Sequence, residues 1–291
     1  MVVPKTYSDI YLNLRRRLRE AGIAAFELEA RELVAFATSK TKEQFFRDKM
    51  LYAGDESLRQ IEALALRRLA GEPVAYLIGE WEFYGLPLDI SRDVLVPRAD
   101  SEVLAGRAIE LTQAVKIRPA KVLDLCCGSG CIGLAIAAHV PTAKVTLCDI
   151  SEEALRISRQ NIRRNGLVGQ VITLAGNALE APPSVLWECD VIACNPPYIR
   201  SDEMQELEDG VRLYEPRLAL DGGADGLDFY RAVAEKWKRN LKVGGHLLFE
   251  VGHTQAGQVE MILAQFSYQV GDTLTDTGGH FRVVHGIRTE A

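Results

Sequence analysis

The sequence predicts an α/β protein. A mostly parallel sheet with helices on both faces is preceded by a small N-terminal helical bundle and joined to it by a β-hairpin. Three observations predict this. From Lys121 onward, short apolar runs alternate with helical segments, the pattern of strand–helix–strand units that lie parallel in one sheet. Before residue 71 only helix-period patterns occur. Between the two, residues 71–97 show Gly and Pro punctuation, short apolar alternation and clustered aromatics, which reads as a hairpin. A length of 291 residues suits two domains. The expected division is 1–70 for the helical domain, 71–97 for the linking hairpin and 98–291 for the sheet domain.

The elements follow in order. Tyr7–Ala21 places Ile10, Tyr11, Leu14 and Leu18 on one helical face, and Gly22 stops it. Phe26–Thr38 repeats the pattern with Leu28, Leu33, Val34 and Phe36, Thr41–Asp48 is a short helix, and Asp55–Leu69 carries Leu58, Ile61, Leu64, Ala65 and Leu69. After the hairpin, Pro97–Val115 returns to helix. Lys121–Leu125 is a buried strand and Ile132–His139 a helix. Lys144–Asp149 is the next strand, and Ser151 caps a helix to Asn165. Gln170–Ala175 and Cys189–Cys194 are strands, and residues 195–224 form a long loop of Pro, Gly and acids. Leu227–Leu241 is a helix, Gly245–Val251 a strand and Thr254–Phe266 a helix. Tyr268–Leu274 and His280–Ile287 close the chain as a hairpin.

Composition narrows the function classes. Hydrophobic residues make up 47% and charged residues 25%, which excludes collagen-like and wholly disordered chains. The longest apolar stretches, such as Val243–Val251, fall far short of the roughly 20 residues of a membrane span. The net charge is −6, which argues against a protein held on nucleic acid by phosphate contacts. Residues 1–72 carry 13 Lys/Arg against 11 Asp/Glu, and the rest 21 against 29. The six cysteines, at 126, 127, 131, 148, 189 and 194, include no CxxC pair. They read as small buried hydrophobes in a reducing cytoplasm, with neither a disulfide framework nor a metal site expected. Met1–Arg19 is basic and amphipathic and reads as a folded helix rather than a targeting segment.

Two loops carry chemistry. In VLDLCCGSGCIGLAIA, Gly128, Gly130 and Gly133 form a GxGxxG between a strand and a helix. Glycine there lets the backbone approach a ligand, and the helix start presents free N–H groups. Asp149 ends the next strand, 19 residues after Gly130, where a carboxylate accepts from both ribose hydroxyls. An adenosine-containing cofactor is expected at this edge. Asp124 and two cysteines intervene before the first glycine, which favours S-adenosylmethionine over NAD or a bare packing turn.

The second loop is Asn195-Pro196-Pro197-Tyr198, at the end of a buried strand. The prolines fix the backbone and remove two donors. Carbonyl acceptors, one Asn amide and an aromatic ring remain. That set suits a planar –NH₂ group, its two N–H bonds accepted by the Asn195 side-chain oxygen and the Pro196 carbonyl, its face covered by Tyr198. An amide or aryl-amine nitrogen is a poor nucleophile because its lone pair is delocalised. Accepting both N–H bonds aims the lone pair at a methyl donor and favours the more pyramidal nitrogen of the transition state.

DLCCGSG followed by NPPY resembles the class I methyltransferases that modify exocyclic or amide nitrogens. The chain is similar, over nearly its whole length, to the HemK/PrmC family, which methylates the glutamine side-chain amide in the Gly-Gly-Gln motif of peptide chain release factors. GEPVAYLIGEWEFYG, VLVPRADSE and EPRLALDGGADGLDFYR resemble that family's interdomain hairpin, the following helix start and the segment after NPPY. The resemblance implies a Rossmann-like class I methyltransferase sheet, S-adenosylmethionine as cofactor, class 1 peptide chain release factors as partners and a cytoplasmic setting, with no membrane and no nucleic-acid substrate. It places Cys126, Cys127, Gly128, Ser129 and Gly130 at the methionine part of the cofactor, Asp149 at the ribose, Asn177 toward the adenine, and Asn195 beside both cofactor and substrate. Asn195, Pro196, Pro197 and Tyr198 hold the glutamine, Phe83 helps to line its pocket, and Arg98 and Glu102 organise that wall. The catalytic set is Asn195, Pro196 and Tyr198.

The sequence departs from the family at Cys126, where glycine is common, and at Ala178, where an aromatic is common. Its ending, DTGGHFRVV, is a loose match. A sister family that methylates a ribosomal-protein glutamine shares NPPY but follows PR with SPIGE, whereas this chain has ADSE. A nucleic-acid adenine methyltransferase also suits NPPY and would need a basic groove with stacking aromatics. A cofactor-binding module without catalysis is the remaining alternative.

Overall fold

The structure is a computed structural model and describes residues 5–117, 119–186 and 188–289. The first four residues of the expected Met1–Arg19 helix lie outside them. The chain divides into two compact units, Met1–Gly79 with Asp209–Tyr214, and Glu80–Glu208 with Glu215–Ala291.

The first unit is helical. It contains α1 (Tyr7–Glu20), α2 (Phe26–Ala37), α3 (Lys42–Asp48), α4 (Asp55–Leu69) and α5 (Val74–Ile78). Thr6 starts α1 with a capping box: its hydroxyl accepts from Asp9 N at 3.1 Å, and the Asp9 carboxylate accepts from Thr6 N at 2.9 Å. Ile10, Leu14 and Leu18 are the buried face of α1, which packs on α2 through Ala30, Leu33 and Val34. The element α5 corrects the expected hairpin, whose first residues are helical. Val74, Ala75 and Leu77 are buried in it, and Gly79 closes it at φ +77°. Alternation of Val74, Tyr76 and Ile78 looks like a strand, but packing on α2 and α4 decides for a helical turn. The helical unit therefore ends at Gly79 rather than residue 70, and the hairpin is short. A later segment also belongs here: the Tyr214 hydroxyl donates to Ala70 O at 3.4 Å.

The second unit opens with that hairpin, β1 (Glu80–Phe83) paired antiparallel with β2 (Leu86–Asp89). Then follow α6 (Ser101–Ala114), β3 (Lys121–Leu125), α7 (Cys131–His139), β4 (Lys144–Asp149), α8 (Glu152–Arg164), β5 (Val171–Ala175) and β6 (Cys189–Cys194). The chain ends with α9 (Asp228–Lys236), β7 (Leu241–Glu250), α10 (Ala256–Gln265), β8 (Tyr268–Val270), β9 (Leu274–Thr275) and β10 (Phe281–Arg288). The sheet runs β5-β4-β3-β6-β7-β10-β8, with β9 against β10. Strands β3 to β7 pair in parallel, and β10 pairs antiparallel with β7, β8 and β9.

The expected Leu227–Leu241 helix is shorter and the following strand longer. Trp237 is fully buried, its indole donating to Ala178 O at 3.1 Å. A 3₁₀ turn, Lys238–Asn240, then feeds β7. The Gly-Gly at 244–245 that reads as a strand start sits inside β7. The core fills with Leu125, Ile192, Leu247 and Phe249 from the strands and Tyr230, Val233, Trp237 and Leu263 from the helices.

This topology decides where a site forms. From β3 the chain winds outward through β4 and β5, then returns to lay β6 on the other side of β3. The order reverses there, and the loops after β3 and β6 diverge into a crevice at the strands' C-terminal ends. Leu125 pairs with Cys194, so Cys126 and Asn195 leave the sheet side by side.

Candidate active site

One cavity opens over that crevice, wholly within the second unit. Its floor is Cys126–Ser129, Asp149 and Asn195, and its walls include Leu95, Arg98, Ile150, Leu179, Leu218 and Phe229.

The loop after β3 is built to bare its backbone. Cys126 stands at φ +60°, a left-handed angle that costs a side chain roughly 1–2 kcal/mol. This explains why glycine is common there and shows that the position is not restricted to it. Gly130 reaches φ +82° at the start of α7, where an added Cβ would lie 2.8 Å from Leu147. The carboxylate of Asp149 accepts from Gly128 N at 2.8 Å and Ser151 N at 3.0 Å. Each oxygen keeps a lone pair for a ligand hydroxyl. Ser129 is held from behind, its carbonyl accepting from Asn161 Nδ2 at 3.0 Å.

The NPPY loop is clamped from below. Ile199 N donates to Leu220 O at 3.0 Å, and Gly222 N to Ile199 O at 2.7 Å. Gln255 Nε2 donates to Tyr198 O at 2.9 Å. The expected long loop over 195–224 is partly paired, at Ile199 and Asp221.

Of the expected site residues, Cys126, Cys127, Gly128, Ser129, Asp149, Asn177, Asn195 and Pro197 line the cavity, as do Arg98 and Ala178. Gly130, Pro196 and Tyr198 adjoin these residues in the chain and are not themselves part of the lining. The Tyr198 ring packs against the apolar core, and burial pushes its phenol up to about 12. Both polar groups of Asn177 serve its own turn, accepting from Leu179 N and donating to Glu180. Phe83 does not line this cavity. It is 2% exposed. The alternation of β1 turns it inward, in a hairpin whose outer strand is tied to α8 through Asp89 N to Asn161 Oδ1 at 2.6 Å. Arg98 and Glu102 do not pair with each other. Arg98 binds the buried Glu215 at 2.5 Å, and Glu102 accepts from Tyr84 N at 3.0 Å. Pro216, Leu218, Ala219 and Phe229 were missed, because only the return of the 215–229 segment brings them to the cavity, and Leu95 was missed because no local motif marks it.

Two buried acids flank the loops. Burial pushes Asp124 up to about 7, although its carboxylate accepts from Gly133 N at 2.8 Å. Burial also pushes Glu250 up to about 7. For Asp124, the native state holds its proton between about pH 4 and pH 7 while the unfolded chain has lost it. Its contribution is complete below pH 4 and declines as pH rises to 7. Burial of the His246–His285 pair works oppositely, lowering His285 to about 4. The contribution of Asp124 therefore shows as a difference between two proteins. In urea unfolding, the stability of wild type relative to Asp124→Asn falls by at most about 1.4 kcal/mol per pH unit from pH 4 to 7. It then levels off. A flat difference contradicts the assigned titration.

The described helices include none long and apolar enough to cross a membrane. The family described as Methyltransferase small domain matches residues 102–211, and the one described as PrmC N-terminal domain matches residues 9–79. A release factor glutamine methyltransferase of Thermodesulfovibrio yellowstonii is 33% identical over 256 residues, 88% of this chain and 90% of that one. One of the same name from Agrobacterium fabrum is 37% identical over 282 residues, 96% of each chain. A solved methyltransferase of Pyrococcus furiosus, 19% identical, shares the fold at a TM-score of 0.52 over 79% of this chain and 98% of that one.

Proposed function

The chain belongs to the release factor glutamine methyltransferase family, and from that premise we propose that Asn195 and Pro196 hold the acceptor glutamine while the loop after β3 and Asp149 hold the methyl donor. The reaction is methyl transfer from S-adenosylmethionine to the side-chain amide nitrogen of a release-factor glutamine. In this reading the glutamine is that of the Gly-Gly-Gln motif of class 1 release factors, and the enzyme acts in the cytoplasm on a protein amide rather than a base.

The cavity fits this donor. Asp149 offers acceptor lone pairs to a diol, and Ile150, Ala178, Leu179 and Phe229 supply apolar walls for a purine. Phe229 provides the aromatic surface that Ala178 lacks. Bound there, S-adenosylmethionine supplies an electrophilic methyl group on a sulfonium centre and leaves as the neutral thioether.

The chain's own groups act on the amide. The Asn195 side-chain oxygen and the Pro196 carbonyl accept the two N–H bonds of the glutamine –NH₂. That fixes the nitrogen and aims its lone pair, replacing a diffusive encounter by an oriented one. As the N–C bond forms, the nitrogen gains positive charge and its N–H donors strengthen, so both acceptors hold the transition state more tightly than the substrate. The proton is lost to water after transfer, so no strong base is required at the nitrogen.

The observation that carries this reading is the adjacency of Cys126 and Asn195 at the switch point, through the Leu125–Cys194 pairing. The test uses labelled cofactor with a class 1 release factor, wild type and Gln→Ala in its Gly-Gly-Gln loop, and with bulk RNA. Label on the wild-type factor alone is expected. Label on both factors, or on RNA in a salt-sensitive manner, overturns it.

The helical unit is assigned, in the same reading, to docking the release factor. Exposed Phe46, Met50, Leu51 and Tyr52 support this. Polar replacements there are expected to raise KM for the factor several-fold and leave kcat alone. Unchanged KM across the set returns the unit to a stabilising role.

A further inference from the structure

At the edge of the cavity, where Ser101 joins its wall, three elements converge on Asn195. Strand β7 runs parallel to β6 with Phe249 opposite Cys194, so the next residues, Glu250 and Asn195, are neighbours. Ser101 opens α6, and its hydroxyl accepts from Asn195 Nδ2 at 3.3 Å. Glu250 is 3% exposed, and its Oε2 has no hydrogen-bond partner. The Tyr230 hydroxyl, donating to Glu250 O at 2.9 Å, fixes the backbone there. A carboxyl group buried with an unmet acceptor is costly, and methyl transfer through Asn195 and Pro196 makes no direct use of it.

We propose that Glu250 and Ser101 are positioning residues that hold the Asn195 side-chain amide in one of its two orientations, with the –NH₂ inward and the carbonyl oxygen toward the cavity. The proposal rests on the reading that Asn195 accepts from the substrate amide. An Asn amide is nearly symmetric in shape and opposite at its two ends in hydrogen bonding. Turned over, Asn195 would present –NH₂ to the –NH₂ of glutamine, donor against donor, and the reacting nitrogen would lose its anchor. A serine hydroxyl alone cannot prevent this, because it both donates and accepts. An ionised carboxyl only accepts, so it selects the inward –NH₂. Burial, with the charge of Asp100, raises Glu250 to about 7, offset in part by the Ser101 and Asn195 side chains and the charge of Arg282, so the accept-only ionised form prevails above that pH. Arg282 in turn binds Asp100 at 2.7 Å and Asp276 at 2.8 Å. The C-terminal DTGGHFRVV segment thereby delivers the cation that steadies the group behind Asn195.

The test compares wild type, Asn195→Ala, Glu250→Gln, Ser101→Ala and the Asn195→Ala/Glu250→Gln double variant. Rates of release-factor methylation, KM, cofactor Kd and melting temperature are measured for each. Glu250→Gln keeps the volume but adds a donor that tolerates either amide orientation. It is expected to lower kcat about tenfold, with KM and cofactor Kd within about twofold. In the Asn195→Ala background the same change is expected to cost nothing further. If Asn195→Ala leaves kcat intact, the reading of Asn195 fails. If Asn195→Ala is slow but Glu250→Gln is as fast as wild type, or costs the same factor in both backgrounds, the positioning role alone fails. Should Glu250→Gln not fold, Ser101→Ala is judged by the same criteria in the same two backgrounds.

Discussion

Alanine at position 195 is expected to lower kcat by roughly 10²–10³-fold, the cost of removing one preorganised hydrogen-bonding group from a developing charge. The substrate amide arrives with its lone pair delocalised into the carbonyl. In the proposed reading, with Asn195 intact, both N–H bonds end on fixed acceptors and the lone pair points one way. With alanine, one N–H bond turns to water or to nothing, and the nitrogen rotates. Binding of the cofactor changes little, because Asp149 and the Cys126–Ser129 backbone remain, and Asn195 is one of many residues around the cavity. Single-turnover methylation at saturating cofactor, set beside the cofactor Kd, separates the two effects. A large loss of cofactor affinity with an unchanged rate refutes the role.

Gly222→Ala is expected to damage both stability and rate. A Cβ at this position would lie 2.7 Å from Tyr198 Cα, 2.8 Å from Pro197 O and 2.9 Å from Tyr198 C. These are backbone atoms of a loop stiffened by two prolines and stitched to the 220–222 segment by hydrogen bonds on both sides. No side chain can swing away, so the NPPY loop itself must shift. Overpacking of this kind costs about 1–3 kcal/mol, and a misplacement approaching 1 Å at a reacting group costs on the order of 10²-fold in rate. Gly257→Ala is the control, since an added Cβ there meets nothing within 4 Å. It sits in α10 and is expected to be neutral or to stabilise by up to about 1 kcal/mol. Urea unfolding and kcat of the two variants give the comparison. Equal behaviour of both contradicts the steric account.

Much of the architecture was legible in the residues. Periodicity located the first four helices within a residue or two, because Ile10, Leu14 and Leu18, and Leu33 with Val34, recur at the helical spacing that burial requires. Strands β3, β4, β5 and β6 were equally clear, as short apolar runs at the expected places. The short helix α5 was not legible. Five residues cannot establish a period, and contact with α2 and α4 decided their conformation. The misjudged junction at Trp237 has the same cause, a buried indole whose partner, the Ala178 carbonyl, is 59 residues distant.

For the site, local chemistry and distant return divide cleanly. The residue types at 126–130, 149 and 195–198 pointed by themselves to an adenosine-containing cofactor and a planar –NH₂ group, because turn glycines, a strand-end carboxylate and a proline-locked asparagine have few other uses together. Only the tertiary structure decided which of them face the cavity. It placed Asn195 and Pro197 on the wall and Tyr198 against the apolar core, sent Phe83 into the hairpin interior, and brought Leu218 and Phe229 across. It also set Glu250 beside Asn195 through strand pairing that no motif spans. The physical reason is one of range. Side-chain chemistry and backbone freedom belong to neighbours in sequence, whereas orientation toward a cavity is fixed by what packs behind, and that is supplied by elements far along the chain.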